Sequence, residues 1–92
     1  MINHLIIYDM KNKIRIKTNT GDIVFDHSRD ELHQIDSTRE AIFLWDDCDF
    51  TRGYTNGLIE DGHIRIYTVP DQDEVYISMP VARLIAWTYR WL

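Results

Sequence analysis

Ser78-Met-Pro-Val-Ala-Arg-Leu-Ile-Ala-Trp-Thr-Tyr-Arg-Trp-Leu92 closes the chain, and its reading decides the fold class. Ser78 is of a type that caps helices, Pro80 is tolerated in a first helical turn, and Val81, Leu84, Ile85, Thr88 and Leu92 recur at helical spacing. The spacing predicts a C-terminal α-helix. At about 100° per residue its apolar positions cover roughly 200° of arc, with Arg83 and Arg90 on the opposite side. That stripe is wider than a single sheet covers. Trp87 and Trp91 fall one turn apart on one flank, where they either close the edge of a small core or offer a contact to a dimer mate or another target.

Towards the N-terminus the period changes to two. Ile14 and Ile16 alternate with Lys13, Arg15 and Lys17, which predicts a strand with its isoleucines inward and a cationic strip facing solvent. Leu5 to Tyr8 precedes it across Asp9-Met-Lys-Asn12, and Thr18-Asn-Thr-Gly21 leads into Ile23-Val-Phe25, giving a three-stranded opening meander. Ser28-Arg-Asp-Glu31 and Ser37-Thr-Arg-Glu40 both fit the capping-box pattern, and Leu32 with Ile35 supports one short helix near residues 29-36. Ala41-Ile-Phe-Leu-Trp45 is a continuous apolar run that periodicity alone does not assign; it is read as a strand. Asn56-Gly57 and Asp61-Gly62 are turn dipeptides, and between and beyond them Leu58 to Glu60, His63 to Val69 and Val75 to Ile77 read as strands. The expected fold class is α+β: a small antiparallel meander of six or seven short strands with a C-terminal α-helix packed on it, in one domain spanning residues 1-92.

Composition narrows the function classes. A chain of 92 residues with 45% hydrophobic and 27% charged residues can build a small core, which excludes a disordered tail or a linker. One cysteine makes no intramolecular disulfide, and the N-terminus has neither a basic segment nor an apolar run long enough for export, so a cytoplasmic protein is expected. The longest uncharged apolar stretches fall far below the roughly 20 residues a bilayer requires, so no integral membrane association is expected.

Charge position says more than net charge. The formal total is −5, yet residues 1-39 hold six acids and six bases, whereas residues 40-79 hold nine acids against Arg52 and Arg65. Eight of those acids sit in or beside turns: Asp46, Asp47 and Asp49, then Glu60 and Asp61, then Asp71, Asp73 and Glu74. Turns favour Asp and Glu for local reasons alone. If the turns stack along one rim, however, they form an acidic surface for a basic partner. The Lys11, Lys13, Arg15, Lys17 strip is expected to protect a sheet edge from pairing with other chains. Direct nucleic-acid binding is disfavoured, because no aromatic side chains interleave with those cations for base stacking.

Catalytic and metal chemistry find little footing. Asp47-Cys-Asp49-Phe-Thr51 begins like a calcium loop but has Arg52 and Leu58 where that loop needs glycine and glutamate. His4, His27, His33, Cys48 and His63 are scattered without zinc-ligand spacing. Cys48 lies among Asp46, Asp47 and Asp49, whose negative charge suppresses a thiolate. No glycine-rich phosphate cradle exists. The chain is therefore expected to be non-enzymatic, with no catalytic residue, cofactor or metal.

In size and charge the chain resembles the small acidic inhibitors encoded by phages and mobile elements, the anti-CRISPR proteins and DNA mimics, though it shares no motif with them. The resemblance implies a protein-binding module that occupies a basic, nucleic-acid-handling surface of a larger protein. Two alternatives stand beside it. One is an assembly subunit or homodimer joined through Trp87 and Trp91. The other is a small regulatory domain similar in plan to a pleckstrin-homology fold, with about seven strands and a tryptophan-bearing C-terminal helix.

Overall fold

Strand β5, Ala41–Trp45, is buried at all five positions, a pattern that requires apolar neighbours on both faces of its sheet. The computed structural model of the chain, which describes residues 6–8, 13–70 and 75–90, supplies both. Ala41, Phe43 and Trp45 enter one apolar cluster with Ile64, Ile66, Leu84 and Trp87, while Ile42 and Leu44 enter a second with Ile14, Ile16, Phe25 and Ala86. One sheet thus separates two half-cores.

Ten strands form three antiparallel sheets among the described residues. The first sheet has the order β1 (Ile6–Tyr8), β2 (Ile14–Thr18), β3 (Gly21–Phe25), which is the expected opening meander. The central sheet runs β4 (His27–Ser28), β10 (Leu84–Tyr89), β5, β6 (Phe50–Gly53). The third runs β7 (Ile59–Glu60), β8 (His63–Tyr67), β9 (Val75–Pro80). After Phe25 the chain passes through Asp26 and leaves the first sheet for the central one as β4. At the far edge, Tyr54 and Tyr67 exchange backbone hydrogen bonds of 2.9 and 2.7 Å and join β6 to β8. Gly53 permits that approach, since a Cβ there would lie 2.5 Å from Ile66 Cγ2 and 2.6 Å from the Tyr67 carbonyl oxygen.

The C-terminal α-helix does not form, and the fold is all but entirely β rather than α+β. Val81–Arg83 make one 3-10 turn, after which Leu84–Tyr89 are an interior strand hydrogen-bonded to β5 on one side and β4 on the other. Ser78 and Pro80, expected at a helix start, lie in β9. Two physical causes explain the difference. An interior strand of the central sheet needs apolar side chains on both faces, so Leu84 and Trp87 serve one cluster and Ala86 the other, and no period of two survives. A bulge at Ile85, between the Leu84–Trp45 and Ala86–Leu44 pairs, shifts the alternation by one residue. What remains apolar then falls by coincidence at helical spacing. The plan similar to a pleckstrin-homology fold loses its defining helix.

The short helix near residues 29-36 is a 3-10 helix, Arg29–Gln34, started by the Ser28-to-Glu31 box: the Ser28 N–H donates to Glu31 Oε1 at 2.7 Å. Ser37-Thr-Arg-Glu40 builds no helix. Asp36 Oδ1 there accepts from the Thr38 N–H and hydroxyl at 2.9 and 2.6 Å, which closes a turn, and Glu40 instead pairs with Arg90.

Candidate functional site

Two of the acidic turns meet at one end of the molecule. β5 ends at Trp45, and the chain turns through Asp46-Asp-Cys-Asp49, with Cys48 at φ +66° and Asp47 Oδ1 accepting from the Asp49 N–H at 3.0 Å. The Asp46 N–H donates to the Arg83 carbonyl at 2.9 Å, fastening this turn to the β9–β10 connection. From the other side of that connection, the Val81 N–H donates to the Gly62 carbonyl at 2.8 Å. Gly62 belongs to the β7–β8 hairpin turn, where Asp61 and Gly62 both have positive φ, +52° and +72°, as an Asp-Gly hairpin requires. Glu60 and Asp61 thereby reach the same end as Asp46, Asp47 and Asp49.

Arg83 is the hub of this end. Its Nε lies 3.0 Å from Asp46 Oδ1 and its Nη2 3.0 Å from Asp47 Oδ2, so one guanidinium bridges two consecutive carboxylates. The hydrogen bond donated to Asp46, opposed by some desolvation, and the charge of both acids raise the guanidinium pKa above its ordinary value. Glu60 pairs with Arg65 at 3.0 Å. Asp49 and Asp61 form no ion pair among the described residues. Five carboxylates against two guanidiniums leave this end net negative by three charges. Alongside it in the chain, Leu58, Ile59 and Ile85 are exposed at 62%, 51% and 39%. The third group of acids, Asp71, Asp73 and Glu74, lies outside the described residues.

Trp87 does not flank a surface. It is fully buried, donates its indole N–H to the Ser28 carbonyl at 3.0 Å, and stacks on His27 with ring centroids 4.1 Å apart. Of the two positions expected to offer a contact, Trp87 belongs to the core and Trp91 lies outside the described residues. The Tyr89 ring stands nearly perpendicular to Trp87, with centroids 5.3 Å apart, and carries the Arg39 guanidinium 3.8 Å from its centroid.

The cationic strip is likewise placed differently from expectation. β2 is the middle strand of its sheet, with β1 and β3 on its two sides, so Lys13, Arg15 and Lys17 do not protect an edge. Lys11 lies outside the described residues. Arg15 faces Asp22 of β3 at 3.9 Å across the solvent-exposed sheet face.

A groove of about 820 Å³ opens at the opposite end of β10, between Asp22, Val24 and Asp26 on one wall and Thr88, Tyr89, Arg90 and Arg39 on the other. The Thr88 hydroxyl donates to Asp26 Oδ1 at 3.0 Å across the groove, and Arg90 Nη1 is held by Glu40 at 2.8 Å. Neither the Arg83 hub nor this groove was legible in sequence. Arg83 lies 37 and 36 residues from the acids it joins, and no local pattern announces such a contact.

Among the described residues no group of three His, Cys, Asp or Glu side chains converges to hold a metal, and no helix is long and apolar enough to cross a membrane. No protein-family model, curated protein or solved structure matches the chain.

Proposed function

We propose that the chain is a non-enzymatic protein-binding module whose acidic end occupies a basic, nucleic-acid-handling surface of a larger protein, as the small acidic inhibitors of phages and mobile elements do. The convergence of the Asp46–Asp49 and Glu60–Asp61 turns on the Val81–Arg83 connection carries this reading. Exposed carboxylates on tight turns steer a cationic partner and speed its approach. Exposed Leu58, Ile59 and Ile85 supply apolar contact that outlasts screening of the charges. Inhibition then follows from occupancy, with no bond made or broken. A row of phosphate-like charges is a poorer description than a protein-docking surface, because Arg83 and Arg65 already neutralise part of the carboxylate set.

Affinity capture from the native host, at about 50 mM and about 500 mM salt, tests this directly. The expected partner is basic, is retained at low salt and is largely released at high salt. The triple variant Asp49→Lys, Glu60→Lys, Asp61→Lys should fail to retain it. Retention that ignores both salt and charge reversal rejects the proposal.

A further inference from the structure

We propose that the groove between β3 and the end of β10 binds an extended peptide segment bearing a carboxylate and a basic side chain. This site is separate from the acidic end, since β10 starts beside Arg83 and finishes at the groove. Three observations converge on that ligand. The volume, about 820 Å³, lies within the range of small-ligand sites. The main chain is also open on the groove side: β10 pairs with β4 only through Ala86 and Trp87, so Thr88 to Arg90 have no ladder partner there among the described residues. The β3 wall offers side chains of one strand face, Asp22, Val24 and Asp26. The unpaired edge at the end of β10 suits an extended backbone.

The third observation is the charge layout. Arg39 acts on Asp36 only through charge, at more than ion-pair distance, and its guanidinium is held 3.8 Å over the Tyr89 ring. Tyr89 is itself fixed, because its hydroxyl accepts from the Asp36 N–H at 3.0 Å and its ring abuts Trp87. A guanidinium stacked in this way presents its donor fork with little ordering left to do, and a carboxylate matches that fork. Across the groove, Asp22 and Asp26 stand on one face of the strand end, four residues or about 13 Å apart, with Val24 between them. Asp22 lies 3.9 Å from Arg15, and Asp26 accepts from Thr88 and lies 3.5 Å from His27 Nε2, yet their side chains stay 40% and 44% exposed, so they attract a further basic side chain and repel a phosphate-rich ligand, which argues for a peptide over a nucleotide.

The probe is acetyl-Lys-Ala-Gly with a free C-terminus, titrated into the full chain and followed by two-dimensional NMR. Saturable shifts are expected at Val24, Thr88 and the Arg39 side chain, with affinity in the millimolar range. The C-terminal amide of the same peptide should bind roughly tenfold more weakly. Arg39→Gln should abolish the difference between acid and amide, and Asp22→Asn with Asp26→Asn should abolish the preference over acetyl-Glu-Ala-Gly. Melting curves confirm that the variants are folded. The same tripeptide as the tail of an inert carrier separates two sources: equal binding of the tail identifies a protein terminus, and binding of the free peptide alone identifies a small peptide. No saturable shift up to about 10 mM, or equal binding of acid and amide by the unaltered protein, overturns the proposal.

Discussion

Replacing Gly57 by alanine tests how the loop after β6 is seated on the 3-10 helix. Gly57 is buried, at φ +78°, and a Cβ there would lie 2.4 Å from the Leu32 carbonyl oxygen and 3.0 Å from Ile35 Cγ2. The Leu32 oxygen is backbone and already accepts from the Ile35 N–H at 3.1 Å, so it cannot swing aside without disturbing the helix end. Left-handed backbone costs a non-glycine residue about 1 kcal/mol, and overpacking a fitted site adds about 1–3 kcal/mol. The expected loss for Gly57→Ala is about 2–4 kcal/mol, or roughly 10–25 °C in Tm for a domain of this size. Gly62→Ala is the matched control: its φ is +72°, but a Cβ there meets nothing within 4 Å, so only the backbone cost of about 1 kcal/mol remains. Urea unfolding of both variants reads the steric contribution as the difference between them, about 2 kcal/mol. Equal destabilisation of the two would refute the contact with Leu32.

Further outcomes follow from the same geometry. Gly53→Ala should cost about 2–3 kcal/mol and should disturb the Tyr54–Tyr67 bridge, seen as lost hydrogen-exchange protection at those two amides. Trp87→Ala should cost about 3–5 kcal/mol or prevent folding, because it empties a fully buried site shared by β4, β5 and β10; a fold that tolerates it contradicts the core assignment. Acid should destabilise the protein through Glu31 and Asp36. The Ser28 N–H, and for Asp36 the Thr38 hydroxyl and N–H, hold these carboxylates below their usual range, against a smaller desolvation effect. Folded-state pKa values below unfolded ones mean that this stabilisation is complete above about pH 5 and declines as pH falls towards 3; Glu31→Gln with Asp36→Asn should flatten that decline in pH-dependent melts. Arg83→Gln should leave Tm nearly unchanged, its pairs being solvent-exposed, while making association with a cationic partner faster and more salt-sensitive in stopped-flow measurements.

How far the sequence discloses this molecule depends on where each strand sits. β2 shows Ile14 and Ile16 in strict alternation because one face of its sheet is solvated, and it is read correctly. The Asp61-Gly62 turn is equally legible, because positive φ is demanded by the hairpin itself. β5 and β10 are interior strands with both faces covered, and there alternation carries no information. β5 is still recognisable as a short apolar run. β10 is not, because the bulge at Ile85 moves the remaining apolar residues onto helical spacing; only its content of Ile85, Trp87, Thr88 and Tyr89, residues that favour strands, points the other way. The acidic turns are visible in the sequence as turns, but their convergence depends on the Val81–Arg83 connection running between them. The Arg39–Tyr89 stack is a matter of tertiary placement alone, the two residues lying 50 positions apart in the chain.

Hydrogen-exchange footprinting of the captured complex is the most direct measurement of where the protein binds. Docking through the acidic end predicts slowed exchange at residues 46–49 and 58–62 and at the Val81–Arg83 connection, with the β2–β3 face unchanged. Protection confined to Lys13, Arg15 and Lys17, with the two acidic turns exchanging as in the free protein, would contradict it.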